Sequence, residues 1–99
     1  MIFSWFDAAE AKTFGDSLAR FFVAGAPNEK HYGDKAFELK VQKVLKQMAD
    51  QIVRFKQQHK LNMYKKAQLG NAFRWGLIDA GIDTKYTEQL TQWLVLQLG

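Results

Sequence analysis

Residues 34–60 read DKAFELKVQKVLKQMADQIVRFKQQHK, and their apolar side chains recur with an average spacing of about 3.5 residues. This spacing places those side chains on one face of an α-helix, whereas a strand would alternate apolar and polar residues. Asp34 is a favourable N-cap residue for such a helix. At about 26 residues and about 39 Å, the predicted helix is long for a chain of 99 residues.

The segments on either side of this helix show the same helical period. Ser4 is the predicted N-cap of the first helix, with Asp7 in its first turn near the positive end of the helix dipole. Pro27 lacks a backbone donor and predicts the end of that helix near Gly25. Asn62 is the predicted N-cap of the third helix. The four helices are expected at 4–25, 34–60, 63–80 and 84–97.

The end of the third helix has a recognisable capping pattern. Gly81 can adopt the left-handed conformation just past the helix, and Ile82 and Leu77 are then the apolar pair of a Schellman motif. Asp83 or Thr84 follows as the N-cap of the fourth helix. The sequence therefore predicts an all-α, compact four-helix domain with one long second helix, formed by residues 1–99.

The third helix is apolar on two sides. One stripe consists of Met63, Gly70, Phe73 and Leu77. The second consists of Tyr64, Trp75 and Ile78, with Asn71 between them. The remaining narrow side is expected to face water and carries Lys65, Gln68, Ala72, Gly76 and Asp79. Such a helix is either the centre of the fold, which we expect, or a partner-binding surface. Arg74 falls between the stripes. We expect its guanidinium either to pair with a carboxylate from another helix or to reach water through the extended side chain.

The composition excludes several classes of protein. The absence of cysteine excludes disulfides, zinc–thiolate sites, iron–sulfur clusters and cysteine nucleophiles. Hydrophobic residues make up 47% of the chain, which is typical of a folded domain and argues against disorder. No apolar run approaches the ~18–20 residues of a membrane span, and no secretory signal pattern begins the chain. A cytoplasmic protein without a membrane span is the expectation.

Catalytic and metal-binding patterns are also missing from the sequence. The two histidines, His31 and His59, lie in different elements, and neither has a carboxylate or hydroxyl at a short supporting spacing. Three convergent metal ligands cannot be assembled, and the glycines do not form a phosphate-binding loop. We therefore expect no catalytic residues, no metal and no cofactor, and a protein that is not an enzyme.

The positive charge of the chain is confined to its middle. Residues 29–66 carry ten basic and four acidic side chains, although the whole chain has a formal charge of only +4. Lysines at a helix N-terminus oppose the helix dipole, and an anion would relieve that conflict. The candidate anion-binding residues are Lys60, Lys65, Lys66, Lys40, Lys43 and Arg54. Weak, sequence-non-specific binding of nucleic acid or another polyanion through residues 35–66 is one functional hypothesis, and an ordinary solvated helix surface is its alternative.

The chain has more apolar residues than one small core is expected to bury. Leu39 and Val53 lie on the charged side of the second helix, and three more lie near the end of the fourth. The candidate interaction surface comprises Leu39, Val53, Val95, Leu96 and Leu98. The leading functional hypothesis is a non-enzymatic interaction or scaffold module that binds a protein partner or a second copy of itself.

Overall fold

The computed structural model describes residues 6–26 and 35–99, which form four α-helices and contain no strand. The helices are α1 (Ala9–Gly25), α2 (Lys35–Gln58), α3 (Met63–Asp79) and α4 (Thr84–Leu98). The predicted all-α four-helix domain is confirmed, and α2 is the longest helix with 24 residues. None of the described helices is both long enough and apolar enough to cross a membrane.

The helices form a ring around one core. α3 packs most extensively against α1 and next against α4, while α2 contacts α1 and α4 on the opposite side. α2 and α3 therefore lie diagonally across the core. Apolar side chains from all four helices meet between them, and the largest fully buried residues are Phe22, Phe73, Leu18, Met48, Ile52, Leu69, Leu77, Leu94 and Leu98.

The predicted turn between α3 and α4 is confirmed in detail. Gly81 has a φ of +86°, the left-handed conformation that glycine adopts without steric cost. Its N–H donates to the carbonyl of Ile78 at 2.9 Å, and the N–H of Ile82 donates to the carbonyl of Leu77 at 3.0 Å. These two hydrogen bonds define the Schellman motif and fix the direction in which the chain enters α4.

Both predicted N-caps in the second half of the chain are present. The side chain of Asn62 accepts a hydrogen bond from the N–H of Lys65 at 2.8 Å, and that of Asp83 accepts one from Tyr86 at 3.1 Å. These contacts satisfy donors that an uncapped helix would leave open. The predicted caps Ser4 and Asp34, and Pro27, lie outside the described residues.

The start of α1 differs from the prediction. Asp7 and Ala8 are not helical, and α1 begins at Ala9. Asp7 therefore precedes the helix instead of lying in its first turn, and its Oδ1 accepts from the N–H of Ala9 at 3.3 Å. Phe6 packs edge-on against Tyr64 and Ala8 is buried, so tertiary contacts set the path of the chain here.

Glycine and alanine residues bring α1 and α3 unusually close together. A Cβ added to Gly15 would overlap the backbone carbonyl of Leu69 and lie 3.2 Å from the Cβ of Ala72. A Cβ added to Gly76 would lie 2.7 Å from the Cβ of Ala19. The prediction that Ala72 and Gly76 face water is therefore wrong. Their small size lets α1 approach, and they form the contact between the helices.

We expect Gly15→Ala to lower the free energy of unfolding by about 1–3 kcal/mol, because the new methyl group would push α1 away from the α3 backbone. Gly70→Ala is the matched control, since its Cβ would meet only the side chain of Val95 at 3.7 Å. That substitution should be neutral or stabilise by up to about 1 kcal/mol through helix propensity. Urea denaturation measures both variants, and equal stability of the two would contradict the close crossing.

Candidate functional site

Two rows of exposed, mostly uncharged side chains lie on α3 and α4. On α3 the row repeats every fourth residue, so that its members form one ridge. The helices touch beneath it, where Val95 lies 3.7 Å from the Cβ position of Gly70. We call this surface the α3–α4 face; its exposed uncharged residues are Met63, Ala67, Asn71, Trp75, Gln89, Gln92, Val95 and Leu96, and the exposed Lys85 and Glu88 lie in the same row of α4.

Neither of the two predicted apolar stripes of α3 is completely buried in the core. Phe73 and Leu77 are buried, but Trp75 of the second stripe remains 54% exposed. Met63, predicted in the first stripe, is 84% exposed. One turn further along α3, Lys66 already reaches the last residue of α4, so Met63 lies beyond the end of that helix. The expectation that both apolar stripes of α3 are buried is therefore wrong, because each stripe has an exposed member.

Arg74 is held in place beside Trp75. Its Nε donates to Oε1 of Glu88 on α4 at 2.6 Å, which confirms the predicted carboxylate partner from another helix. The guanidinium carbon lies 5.4 Å from the centre of the Trp75 ring. The charges of Arg74 and Glu88 are paired within the protein, so the α3–α4 face presents little net charge.

The residues of the predicted interaction surface separate in the structure. Val95 and Leu96 belong to the α3–α4 face, and Leu96 is 78% exposed. Leu39 and Val53 are exposed on α2, on another side of the molecule. Leu98 must be removed from the surface because it is 1% exposed and packs in the core.

Lysine side chains from α2 and α3 reach the C-terminal end of α4. Nζ of Lys66 donates to the carbonyl of Gly99 at 2.9 Å, and Nζ of Lys56 donates to that of Gln97 at 3.3 Å. Both ammonium groups lie at the negative end of the α4 dipole, where a cation stabilises a helix. Lys66 therefore serves a structural contact, which offsets its unfavourable position in the first turn of α3.

The other predicted anion-binding residues do not form a single patch. Lys60 and Lys65 line a cleft between the start of α1 and the α2–α3 junction. Lys40, Lys43 and Arg54 are exposed on α2. Lys40 and Lys43 lie more than about 20 Å from the end of that helix, given the rise of an α-helix. The structure divides the basic segment into an α2 surface and a junction cleft.

The junction cleft contains a histidine–carboxylate pair that the sequence did not reveal. Nδ1 of His59 lies 2.7 Å from Oε2 of Glu10. The two residues come from different helices, so no short sequence spacing indicates the pair. The antiparallel alignment of α1 and α2, in which Phe14 stacks on Phe55, brings Glu10 opposite His59. Among the described residues, no group of three or more His, Asp or Glu side chains could hold a metal ion.

Lys66→Glu should lower the free energy of unfolding by about 0.5–1.5 kcal/mol, because it replaces a donor with a carboxylate at the negative end of α4. The sequence alone predicts stabilisation on replacing Lys65 and Lys66 together by Glu, and the contact with Gly99 reverses this expectation for Lys66. Lys43→Glu makes the same change of charge on the exposed side of α2 and should have little effect. Chemical denaturation at low ionic strength compares them; equal effects would contradict the contact.

No protein-family model, curated protein or solved structure matches this chain. Its function is therefore argued from the surfaces described above.

Proposed function

We propose that the protein is a non-enzymatic helical interaction module that self-associates through the α3–α4 face. The observation that carries this proposal is the exposure of three large apolar side chains, Trp75, Met63 and Leu96, on α3 and α4. Large apolar side chains clustered on the surface of a small domain mark a contact with a partner more often than isolated ones do.

The composition of the face is that of an interface core. Protein interfaces are enriched in Trp, Met and Arg and depleted of Lys and Glu relative to the rest of the surface. Trp75, with Arg74 held beside it by Glu88, is a rigid aromatic anchor of the kind that dominates binding energy. Because Arg74 is already paired, burying it would leave no isolated charge.

The charge distribution favours a second copy of the chain as the partner. With a formal charge of +4, two copies repel one another unless their basic surfaces stay apart. The exposed ridge of α3 points away from α2, which lies diagonally across the core and carries exposed lysines. A two-fold contact between α3–α4 faces sets surfaces with few charges against each other and keeps the α2 helices far apart.

The size of the face is consistent with a weak homodimer. Two helices about 25 Å long and about 10 Å wide give a footprint of about 500 Å² per copy. Stable interfaces bury about 600–1,000 Å² per partner, so a footprint of about 500 Å² falls just below that range, where weak and transient contacts lie. We expect dimerisation at micromolar concentrations.

Trp75→Lys and Leu96→Lys should each weaken the dimer about tenfold or more, because each places an unpaired charge in the contact. Leu39→Lys is the matched control, since Leu39 is comparably exposed on α2. Sedimentation velocity from low to high micromolar concentration measures the association. A wild-type protein that stays monomeric throughout refutes the proposal, as does equal weakening by Leu39→Lys.

One observation favours polyanion binding as a second candidate function. Exposed cations outnumber exposed carboxylates along α2. The cations are Lys35, Lys40, Lys43, Lys46 and Arg54, and the carboxylates are Glu38 and Asp50. No base-reading element accompanies them, so such binding would use phosphates and depend steeply on salt. The α3–α4 face would remain free for self-association.

If α2 binds nucleic acid, Lys43→Gln should reduce the slope of log affinity against log salt by about 0.9, the value for one lost phosphate contact to duplex DNA. Lys12→Gln removes the same charge from an exposed position on α1 and should leave the slope unchanged. Fluorescence anisotropy with a labelled DNA duplex at several salt concentrations measures both. Absence of binding at low salt removes this candidate.

A further inference from the structure

Three rings form a continuous column beside the junction cleft. The rings of Phe14 and Phe55 are stacked with centroids 4.1 Å apart and planes 3° apart. The ring of His59 stacks on Phe55 with centroids 4.3 Å apart and planes 27° apart. At these distances Phe14 and His59 must occupy opposite faces of Phe55. His59 is therefore the last ring, and no further ring of the described residues stacks on its outer face.

Glu10 fixes the orientation of this terminal ring. Its Oε2 lies 2.7 Å from Nδ1 of His59, so that nitrogen is held as a donor and the ring cannot flip without losing the contact. The stack on Phe55 restrains the same ring from its inner side. The side chain of His59 nonetheless stays 32% exposed. It is a rigid planar platform that a ligand can reach.

The cleft beside His59 has a volume of about 370 Å³, which lies within the range of small-molecule sites. Phe55 and Leu61 supply apolar wall, and Lys60 and Lys65 supply cations. Two carboxylates also line the cleft: Glu10 contacts His59, whereas Asp7 accepts only the backbone N–H of Ala9 and keeps its negative charge. Within residues 6–26 and 35–99, neither Lys60 nor Lys65 forms an ion pair.

We infer that the junction cleft binds a small planar aromatic anion. Its ring would stack on the outer face of His59, extending the column, and its phosphate or carboxylate would lie against Lys60 and Lys65. Stacking on aromatic platforms accepts any flat π-system, and ammonium groups accept either anion. A nucleoside monophosphate and an aryl carboxylate share this chemistry. This site is separate from the α3–α4 face and does not depend on self-association.

Each half of the ligand is required by a different part of the cleft. An inorganic anion would leave the His59 ring and its apolar surroundings unfilled. An uncharged aromatic would leave the two lysines without a partner. Both therefore bind more weakly than a molecule that carries the two groups together, because the second contact costs little further loss of freedom once the first is made.

Nuclear magnetic resonance titration tests the inference with adenosine 5′-monophosphate and 2-naphthoate as probes, and with adenosine and inorganic phosphate as their separated halves. Both probes should shift the His59 ring protons upfield in a saturable way, because the ligand ring lies over the imidazole. Adenosine and phosphate should each bind about tenfold more weakly or worse than adenosine 5′-monophosphate. Comparing 2-naphthoate with 2-naphthyl phosphate keeps the ring constant and identifies whether phosphate or carboxylate is preferred.

Three variants separate the contributions. Lys60→Gln combined with Lys65→Gln should weaken both probes about tenfold while leaving the ring platform intact. His59→Gln retains a donor for Glu10 but removes the ring and should abolish the stacking, whereas His59→Phe retains a ring but releases Glu10 and should therefore bind with an affinity between those of His59→Gln and the wild type. Lys12→Gln, at an exposed position on α1 that does not line the cleft, is the control and should bind normally.

Several results would overturn the inference. One is the absence of a saturable shift at millimolar probe. A second is equal affinity of adenosine 5′-monophosphate and inorganic phosphate, which would reduce the cleft to a general anion site. A third is a loss on Lys12→Gln that matches the loss in the Lys60/Lys65 variant. A correctly folded His59→Gln protein that binds both probes at wild-type affinity would also overturn it.

Discussion

The close crossing of α1 and α3 is the constraint on which the remaining structure depends. At Gly15 the backbone of Leu69 occupies the space that any larger side chain would need, and Ala19 meets Gly76 in the same way. The side of α3 that carries Ala72 and Gly76 packs against α1, and a second side packs into the core. The ridge that carries Trp75 therefore faces outward. The outward ridge is therefore a consequence of how tightly two other sides of the helix are packed.

The positions of α1 and α2 relative to each other follow from a second set of contacts. Gly25 lies against Val44, Phe14 stacks on Phe55, and further along the antiparallel pair Glu10 meets His59. One helical register thus decides both the packing of the aromatic column and the formation of the histidine–carboxylate pair. The junction cleft exists because α1 begins at Ala9, next to the place where α2 ends.

The basic residues serve different purposes although they are neighbours in sequence. Lys66 and Lys56 donate to carbonyls at the end of α4, where their charge stabilises the helix. Lys60 and Lys65 line the cleft, and the cations of α2 face outward along its length. Helical geometry explains the division, because successive residues point in directions about 100° apart. Net charge alone therefore overstates how many cations can act together on one ligand.

Much of the fold could be predicted from local sequence because its signals are local. The period of apolar residues indicated four helices, Asn62 and Asp83 indicated their starts, and Gly81 with Ile82 indicated the hydrogen bonds that end α3. These features depend on interactions within a few residues of the chain, which the sequence displays directly. The start of α1 was misjudged, since contacts of Phe6 and Ala8 with the rest of the protein determine it.

The surfaces and sites needed the tertiary structure. Whether Trp75 or Leu98 is exposed depends on which helix lies beside it, and the pattern within its own helix does not decide that. Likewise, Lys66 is a structural residue only because α4 ends next to it, and His59 has a carboxylate partner only because α1 passes there. The sequence by itself determined that four helices form, where α3 and α4 begin and how α3 ends. The packing of those helices against one another decided which side chains meet, because contacts between distant segments depend on helix register and crossing distance.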